Sequence, residues 1–507
     1  MKNIILGILF FVSGSSVAQT YVLDETFGTN GVVNGMPYYQ DLNNSLSINN
    51  QAYFLSGSRI LKVAENGDLN SFIFPLGTDY IDFKYIGDHL YLFGKTYQSP
   101  RKAFIAKMDL NFNLINNFGQ NGISVLEFGS SAGVRDIILT ADGNLLCSGQ
   151  MYIPNSGTDY NLLLFKIDST NGNLITGTNQ DGFVQYSPSL VGGIGSFSGG
   201  FIADYNSSFL LIGNVFKSGA SHLAILNVDD SGNLISSFGT GGYKSVSIEN
   251  SWRTECRRVR FEDNKIYCNY NYYMGSFYEK NKLAAYDLNS DQLTFTIEEG
   301  LGGIGSFKIY DDGIFTTKKN NEQLIGTDKF IIGKKLNNGQ SDTNFHINGY
   351  FSYDSPNLIS STYDGNGADR AQEIVKLDNG DILIGGQTKY VYYISPNYPF
   401  SQSVYNGITI IKITPGEIEL GVETNANKTN TLLYPNPFSV EINLKLKIPV
   451  LKIEIYNSVG QKIEEPKFKY ENESTVIDLS DILIKGIYLL KVYTVDGKSF
   501  SEKIIRE

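Results

Sequence analysis

Residues 229–243 read "DDSGNLISSFGTGGY" and follow the apolar run "LAILNV" (223–228). An acidic, glycine-rich stretch after a strand can cradle a phosphate, hold calcium, or simply turn the chain. A phosphate loop opens a helix, and no helical pattern follows this one. A calcium loop needs sustained alternation of oxygen ligands, which Leu234 and Ile235 interrupt. What remains is a turn between antiparallel strands, where Asp, Asn and Gly supply left-handed backbone.

The stretch has copies. "NFNLINNFGQNG" stands at 111–122, "TNGNLITGTNQDG" at 170–182 and "DSGNLISSFGTGG" at 230–242. Each follows a strand end of one type: "LKV" (61–63), "AKM" (106–108), "FKI" (165–167), "LNV" (226–228), "YDL" (286–288), "KKL" (334–336) and "IKI" (411–413). Ahead of each lies a second apolar strand, as in "GDHLYLFG", "DGNLLCSG" and "NGDILIGG", and ahead of several a third, such as "VRDIIL" (134–139). Four short strands per unit, seven times over, predict a seven-bladed β-propeller. "LDETFGTNGVV" (23–33) is a copy with no strand end before it, and the seventh strand end has no copy after it. The leading piece is therefore expected to complete the last blade and remove a free sheet edge. Phe27, Phe118 and Phe238 recur as core anchors, and the glycines around them as punctuation.

On "DGNLLCSGQ", "YNLLLFKIDSTNGNL" and "FGTGGYKSV", residues 21–415 resemble the delta-60-type β-propeller repeats of exported bacterial proteins. The copies after Leu288 and Leu336, "LTFTIEEGLGG" and "DTNFHINGY", depart from the pattern.

The composition agrees with an all-β, exported chain. Its 507 residues carry a net charge of −11, which repels phosphate backbones and argues against nucleic acid. Against that background "RTECRRVR" (253–260) concentrates arginine; a strand whose arginines pair with acids explains it. Residues 1–18 read as a signal peptide: one Lys, an apolar core from Ile4 to Val12, and small residues before a cut at Ala18–Gln19. That core is too short to span a bilayer, and no later segment is a transmembrane candidate. Three cysteines leave at least one unpaired; Cys256 and Cys268 flank an expected hairpin close enough to bridge, in a register that disfavours the bond.

The expected domains are the propeller at 19–414, a polar linker at 415–430 and a small Ig-like β-sandwich at 431–507. The last segment carries Tyr434-Pro435-Asn436-Pro437, then Gly460 after Tyr456-Asn457, then Gly486-Ile487-Tyr488. In that order these residues resemble the type A sorting domain of the type IX secretion system. The resemblance implies a cargo that partners that machinery, loses its tail and is held at the cell surface or released.

No metal site, cofactor site or catalytic residue is assigned. The three histidines lack partners at ligand spacing, and no Gly-x-Ser-x-Gly elbow occurs. The first functional expectation is a surface binding or adhesion module for a glycan or protein. Its ligand face is built from Trp252, Tyr272, Tyr273, Tyr392 and Tyr393 in long loops that follow second and fourth strands, with Arg253 and Arg370 near the axis. The alternative is a secreted carbohydrate-active enzyme with paired carboxylates on the axis, Asp136 and Asp369 being the acids to test.

Overall fold

A computed structural model describes the chain except for residues 1–19, 38–40, 155–158, 177–181, 250–253, 275–277, 299–302, 319–328, 347–348, 354–369, 394–401, 417–431, 446–448, 458–461, 472–473, 481–484, 496–498 and 507. The expected signal peptide, most of the expected linker, Trp252, Arg253, Asp369 and Gly460 fall outside the described residues. The chain divides into two compact units, Met1–Gly416 and Glu417–Glu507.

In the first unit the described strands form seven antiparallel sheets. The first takes Leu42–Ile48, Gln51–Ser56, Arg59–Val63 and Leu69–Ile73 in up-and-down order. The same order recurs in 78–126, 132–186, 194–249, 254–298 and 304–353. The seventh sheet uses both ends of the unit. Arg370–Lys376, Ile382–Tyr393 and Gln402–Gly416 come from its end, and Thr20–Leu23 and Val32–Pro37 pair with Gln402–Gly416 on the outer side.

Second and third strands are apolar on both faces because both faces are covered. In Gln51–Ser56 the alternation divides the side chains between neighbours. Tyr53 and Leu55 pack with Phe83, Leu92 and Phe104 of the second sheet; Ala52 and Phe54 pack with Val375, Leu383 and Ile410 of the seventh. Equivalent cores fill each successive gap between sheets, so sheet packs on sheet and the seventh packs on the first. Lysines near the ends of third strands reach across the same gaps. Lys62 donates to the Leu110 carbonyl (3.3 Å), Lys107 to that of Ser169 (2.9 Å) and Lys412 to that of Glu65 (3.4 Å); Lys166 pairs with Asp230 at 2.8 Å.

The repeated motif is a turn. Asp229 Oδ1 accepts the backbone N–H groups of Ser231 (2.9 Å) and Asn233 (2.8 Å). Phe27, Phe118 and Phe238 are buried in inter-sheet cores. The glycine after each has φ +59°, +57° and +55°, and a Cβ there would strike the carbonyl oxygen of Val32, Ile123 or Tyr243 at 2.5, 2.2 and 2.2 Å. That contact and the left-handed backbone together require glycine.

Two expectations about loops need correction. "NYNYYMGSFYEKN" (269–281) is not a loop: Lys265–Met274 and Tyr278–Asp287 run through it as paired strands. Likewise Ile382–Tyr393 and Gln402–Gly416 extend through most of 388–407. In the first, Cys268, Tyr270 and Tyr272 alternate with Asn269 and Asn271, and the aromatic residues of both are strand formers. Nor are all turns after second strands long, since Gly57–Ser58 and Ser218–Gly219 are two-residue turns.

The second unit holds two four-stranded sheets. One orders Leu432–Tyr434, Glu441–Lys445, Ser474–Asp478 and Phe468–Glu471; the other orders Lys462–Glu464, Val450–Asn457, Gly486–Thr494 and Ser499–Arg506. Ile442, Leu444 and Ile477 of the first share one core with Ile453, Ile455, Leu490 and Ile504 of the second.

Candidate binding site

The site is made by irregularity in the first strands. In all seven sheets the pairing of first and second strands slips. The slip leaves one extra residue at Asn43, Asp79, Arg135, Gly200, Arg257 and Gln372. A bulge bends its strand and re-aims the side chain it carries. Five of those six residues, all but Gly200, line one cavity of about 720 Å³. Its other walls include the Gly57–Ser58 turn, the crossing at 74–79, Asn269, Asn281, Ser306 and Arg370.

Buried ions tie the first strands together beside it. Glu373, 1% exposed, accepts from Arg258 Nη2 at 2.7 Å and from Ser45 Oγ at 2.9 Å, with Lys308 Nζ at 3.8 Å. Arg258 also donates to Ser306 Oγ and to the Asn43 carbonyl, and Lys308 to Asn44 Oδ1 (3.2 Å) and the Ser45 carbonyl. Asn44 Nδ2 donates to Asp82 Oδ1 at 2.7 Å. Sheets one, two, five, six and seven thus meet in one polar cluster. Burial disfavours a charged Glu373, but Arg258 and Lys308 outweigh it and hold the carboxyl below its ordinary range. Burial pushes Lys308 down to about 7, with Glu373 opposing the shift and Arg258 and Arg260 adding to it.

Of the sequence-predicted residues, Arg370 lines the cavity. Tyr272 does not belong to an exposed face. It is 7% exposed in the core between the fourth and fifth sheets, with Lys282 Nζ 4.2 Å over its ring. Tyr273 lies in Lys265–Met274, and Tyr392 and Tyr393 in Ile382–Tyr393. Asp136 is 5% exposed and committed to structure: Lys84 sits 2.5 Å away, and the backbone N–H groups of Ile137 and Ile202 donate to it at 2.9 and 3.2 Å. Cys256 and Cys268 are buried and unbridged; burial, and then the neighbouring Cys256 thiol, push the Cys268 thiol up. Sequence reasoning missed Arg135, Arg257 and Gln372, because a bulge leaves no trace in a two-residue period. The run "RTECRRVR" was the one signal; its Arg258 pairs with Glu373 while Arg257 faces the cavity.

In the second unit, Asn436 gives the Pro-Asn-Pro segment its purpose. Its Nδ2 donates to the Lys503 carbonyl at 2.7 Å and its Oδ1 accepts from Ile505 N–H at 2.8 Å, so the side-chain amide acts as a short strand against Ser499–Arg506. The Tyr434–Pro435 and Asn436–Pro437 bonds are both cis. Phe438 follows, fully buried, its N–H on the Ile505 carbonyl (2.8 Å). Tyr434 stays 44% exposed, whereas Tyr488 is buried in the strand that Gly486 opens.

Residues 432–507 match the family model of a secretion system C-terminal sorting domain. The chain carries that domain, as a protein sorted for secretion by the type IX system does. No curated protein matches the chain in sequence. Similar solved structures include the WD40 repeats of RRP9 (8% identity, 76% of this chain and 98% of that one, TM-score 0.39). The computationally designed Ika8 protein is similar over 75% of this chain and 98% of its own (10% identity, TM-score 0.36). PorZ, a surface component of the type IX secretion system of Porphyromonas gingivalis, is similar over 92% and 70% (12% identity, TM-score 0.23). With TM-scores this low, the likenesses bear on neither ligand nor activity. Among the described residues no helix is long and apolar enough to cross a membrane.

Proposed function

We propose that this chain is an exported seven-bladed β-propeller with a C-terminal Ig-like sorting domain, and that it works as a binding module at the outer face of the cell. Loss of the signal peptide and of the sorting domain leaves the propeller to present its cavity to a glycan or protein ligand. One observation carries the binding reading. Five bulged first strands aim polar side chains into a single cavity of about 720 Å³, within the size range of ligand pockets. Two of the cavity's carboxylates are held ionised, Glu373 by Arg258 and Lys308, and Asp79 by Lys95 (3.0 Å) and Arg101 (3.3 Å). A carboxyl kept below its ordinary range is a poor proton donor to a leaving group.

The test is a glycan array probed with the full chain and with Ser58→Trp, which fills the cavity from a short turn. The expected result is selective binding that Ser58→Trp abolishes while the circular dichroism spectrum is unchanged. Binding that survives the plug would move the site elsewhere.

A further inference from the structure

Within the ion cluster an amine, an amide and a carboxylate meet at one point. Lys308, Asn44 and Glu373 come from the first strands of the sixth, first and seventh sheets, and all three are buried. Lys308 Nζ lies 3.2 Å from Asn44 Oδ1 and 3.8 Å from Glu373 Oε2. A plain ion pair would set the lysine hard against the carboxylate. Here Arg258 takes that place at 2.7 Å, and Lys308 stands against the amide and the Ser45 carbonyl instead. The amide itself is fixed at both ends. Its Oδ1 accepts the Ser45 N–H at 2.8 Å, and its Nδ2 donates to Asp82 Oδ1 at 2.7 Å and to the Phe83 carbonyl at 3.3 Å. Burial, opposed by Glu373 and Asp82 and assisted by Arg258 and Arg260, brings Lys308 to about 7. A large share of the amine is then uncharged and nucleophilic at neutral pH.

From this juxtaposition we infer that the folded chain joins Lys308 to Asn44 through an isopeptide bond. Nζ attacks Asn44 Cγ and a C–N bond forms, while negative charge develops on Oδ1, where the Ser45 N–H already donates. Glu373 transiently takes the proton that Nζ sheds. In the tetrahedral intermediate both nitrogens sit on one carbon, so the same carboxyl passes the proton to Nδ2. The Cγ–Nδ2 bond then breaks and ammonia leaves. Nothing is oxidised or reduced, and no co-reactant enters. Folding supplies the orientation, and burial keeps out competing water. The bond spans 264 residues of chain and ties the first sheet to the sixth across the seventh, the sheet that unites both ends of the unit. Until it forms, Lys308 titrates as a free amine.

Intact-mass spectrometry and tryptic mapping of the full chain, followed over days at pH 8, test this. The expected result is a mass lower by one ammonia and one branched peptide that joins the Asn44 segment to the Lys308 segment. Held at pH 6 from lysis onward, the chain should link about tenfold more slowly than at pH 8. Lys308→Met and Asn44→Leu should each keep the full mass. A wild-type map that still shows the two peptides separate would overturn the inference, whatever the variants do. So would ammonia lost without a branched peptide, as from an Asn-Gly turn, or a rate of linkage equal at pH 6 and pH 8.

Discussion

Removing residues 20–33 tests the closure of the first unit. This segment places Tyr21 (2% exposed), Phe27 (0%) and Val32 (4%) in the cores on either side of the seventh sheet. It also pairs Thr20–Leu23 with residues 413–416 and supplies Asp24 to Lys412 at 3.0 Å. At about 1.5–3 kcal/mol for each buried side chain, the three together contribute about 5–9 kcal/mol. That is comparable with the whole stability of an ordinary domain, about 5–15 kcal/mol. Lys412 keeps Asp381 at 3.0 Å, so loss of the Asp24 pair adds little. Phe27→Ala alone should cost about 3–5 kcal/mol. Guanidinium unfolding followed by circular dichroism measures both variants. The deletion should also leave Gln402–Gly416 as an open edge and drive association in size-exclusion chromatography. A synthetic peptide of residues 20–36 added in trans should reverse the association. A loss below 1 kcal/mol for Phe27→Ala, or a monomeric truncated chain of unchanged midpoint, would refute the closure.

Three further outcomes are expected. Glu373→Gln leaves Arg258 and Lys308 buried beside a neutral group and should destabilise the first unit by about 3–5 kcal/mol in the same unfolding assay; a change below 1 kcal/mol would contradict the ion cluster. Lys308, at about 7 when folded, binds fewer protons than in the unfolded chain between about pH 7 and 10. Stability should therefore rise by about 2 kcal/mol from pH 7 to 9, and Lys308→Met should flatten that slope; an equal slope in the variant would discount Lys308. Deleting residues 432–507 should confine the protein within the cell envelope, which fractionation and surface proteolysis read directly; unchanged surface display would remove the sorting role.

The strands and turns of the first unit were legible because their signals are local. Strand ends such as "FKI" and "LNV", the Phe-Gly pairs and the leading "FGTNG" each depend on turn chemistry or on period two, and each appears where expected. The candidate site was less legible for two physical reasons. A bulge changes which way Arg135 or Arg257 points without changing composition, so only pairing reveals it. Tyrosine suits both a stacking surface and a buried strand, and in "CNYNYY" the alternation of Cys268, Tyr270 and Tyr272 places them in one core. The weight given to aromatic character there belonged to periodicity.

The sharing of each core between two sheets has a consequence for the order of synthesis. A sheet with its own core could bury its apolar residues as soon as it left an export channel. Here each face waits for a different neighbour, and the first sheet waits longest. Tyr53 and Leu55 are covered once residues up to 108 have emerged, but Ala52, Phe54 and Leu61 need Val375, Leu383 and Ile410. For the passage of some three hundred residues, the earliest-made sheet keeps most of one oily face uncovered, with only Phe27 and Val33 of the neighbouring segment against it among the described residues. Aggregation during export should therefore start in residues 42–63, far in sequence from the segment that ends the exposure.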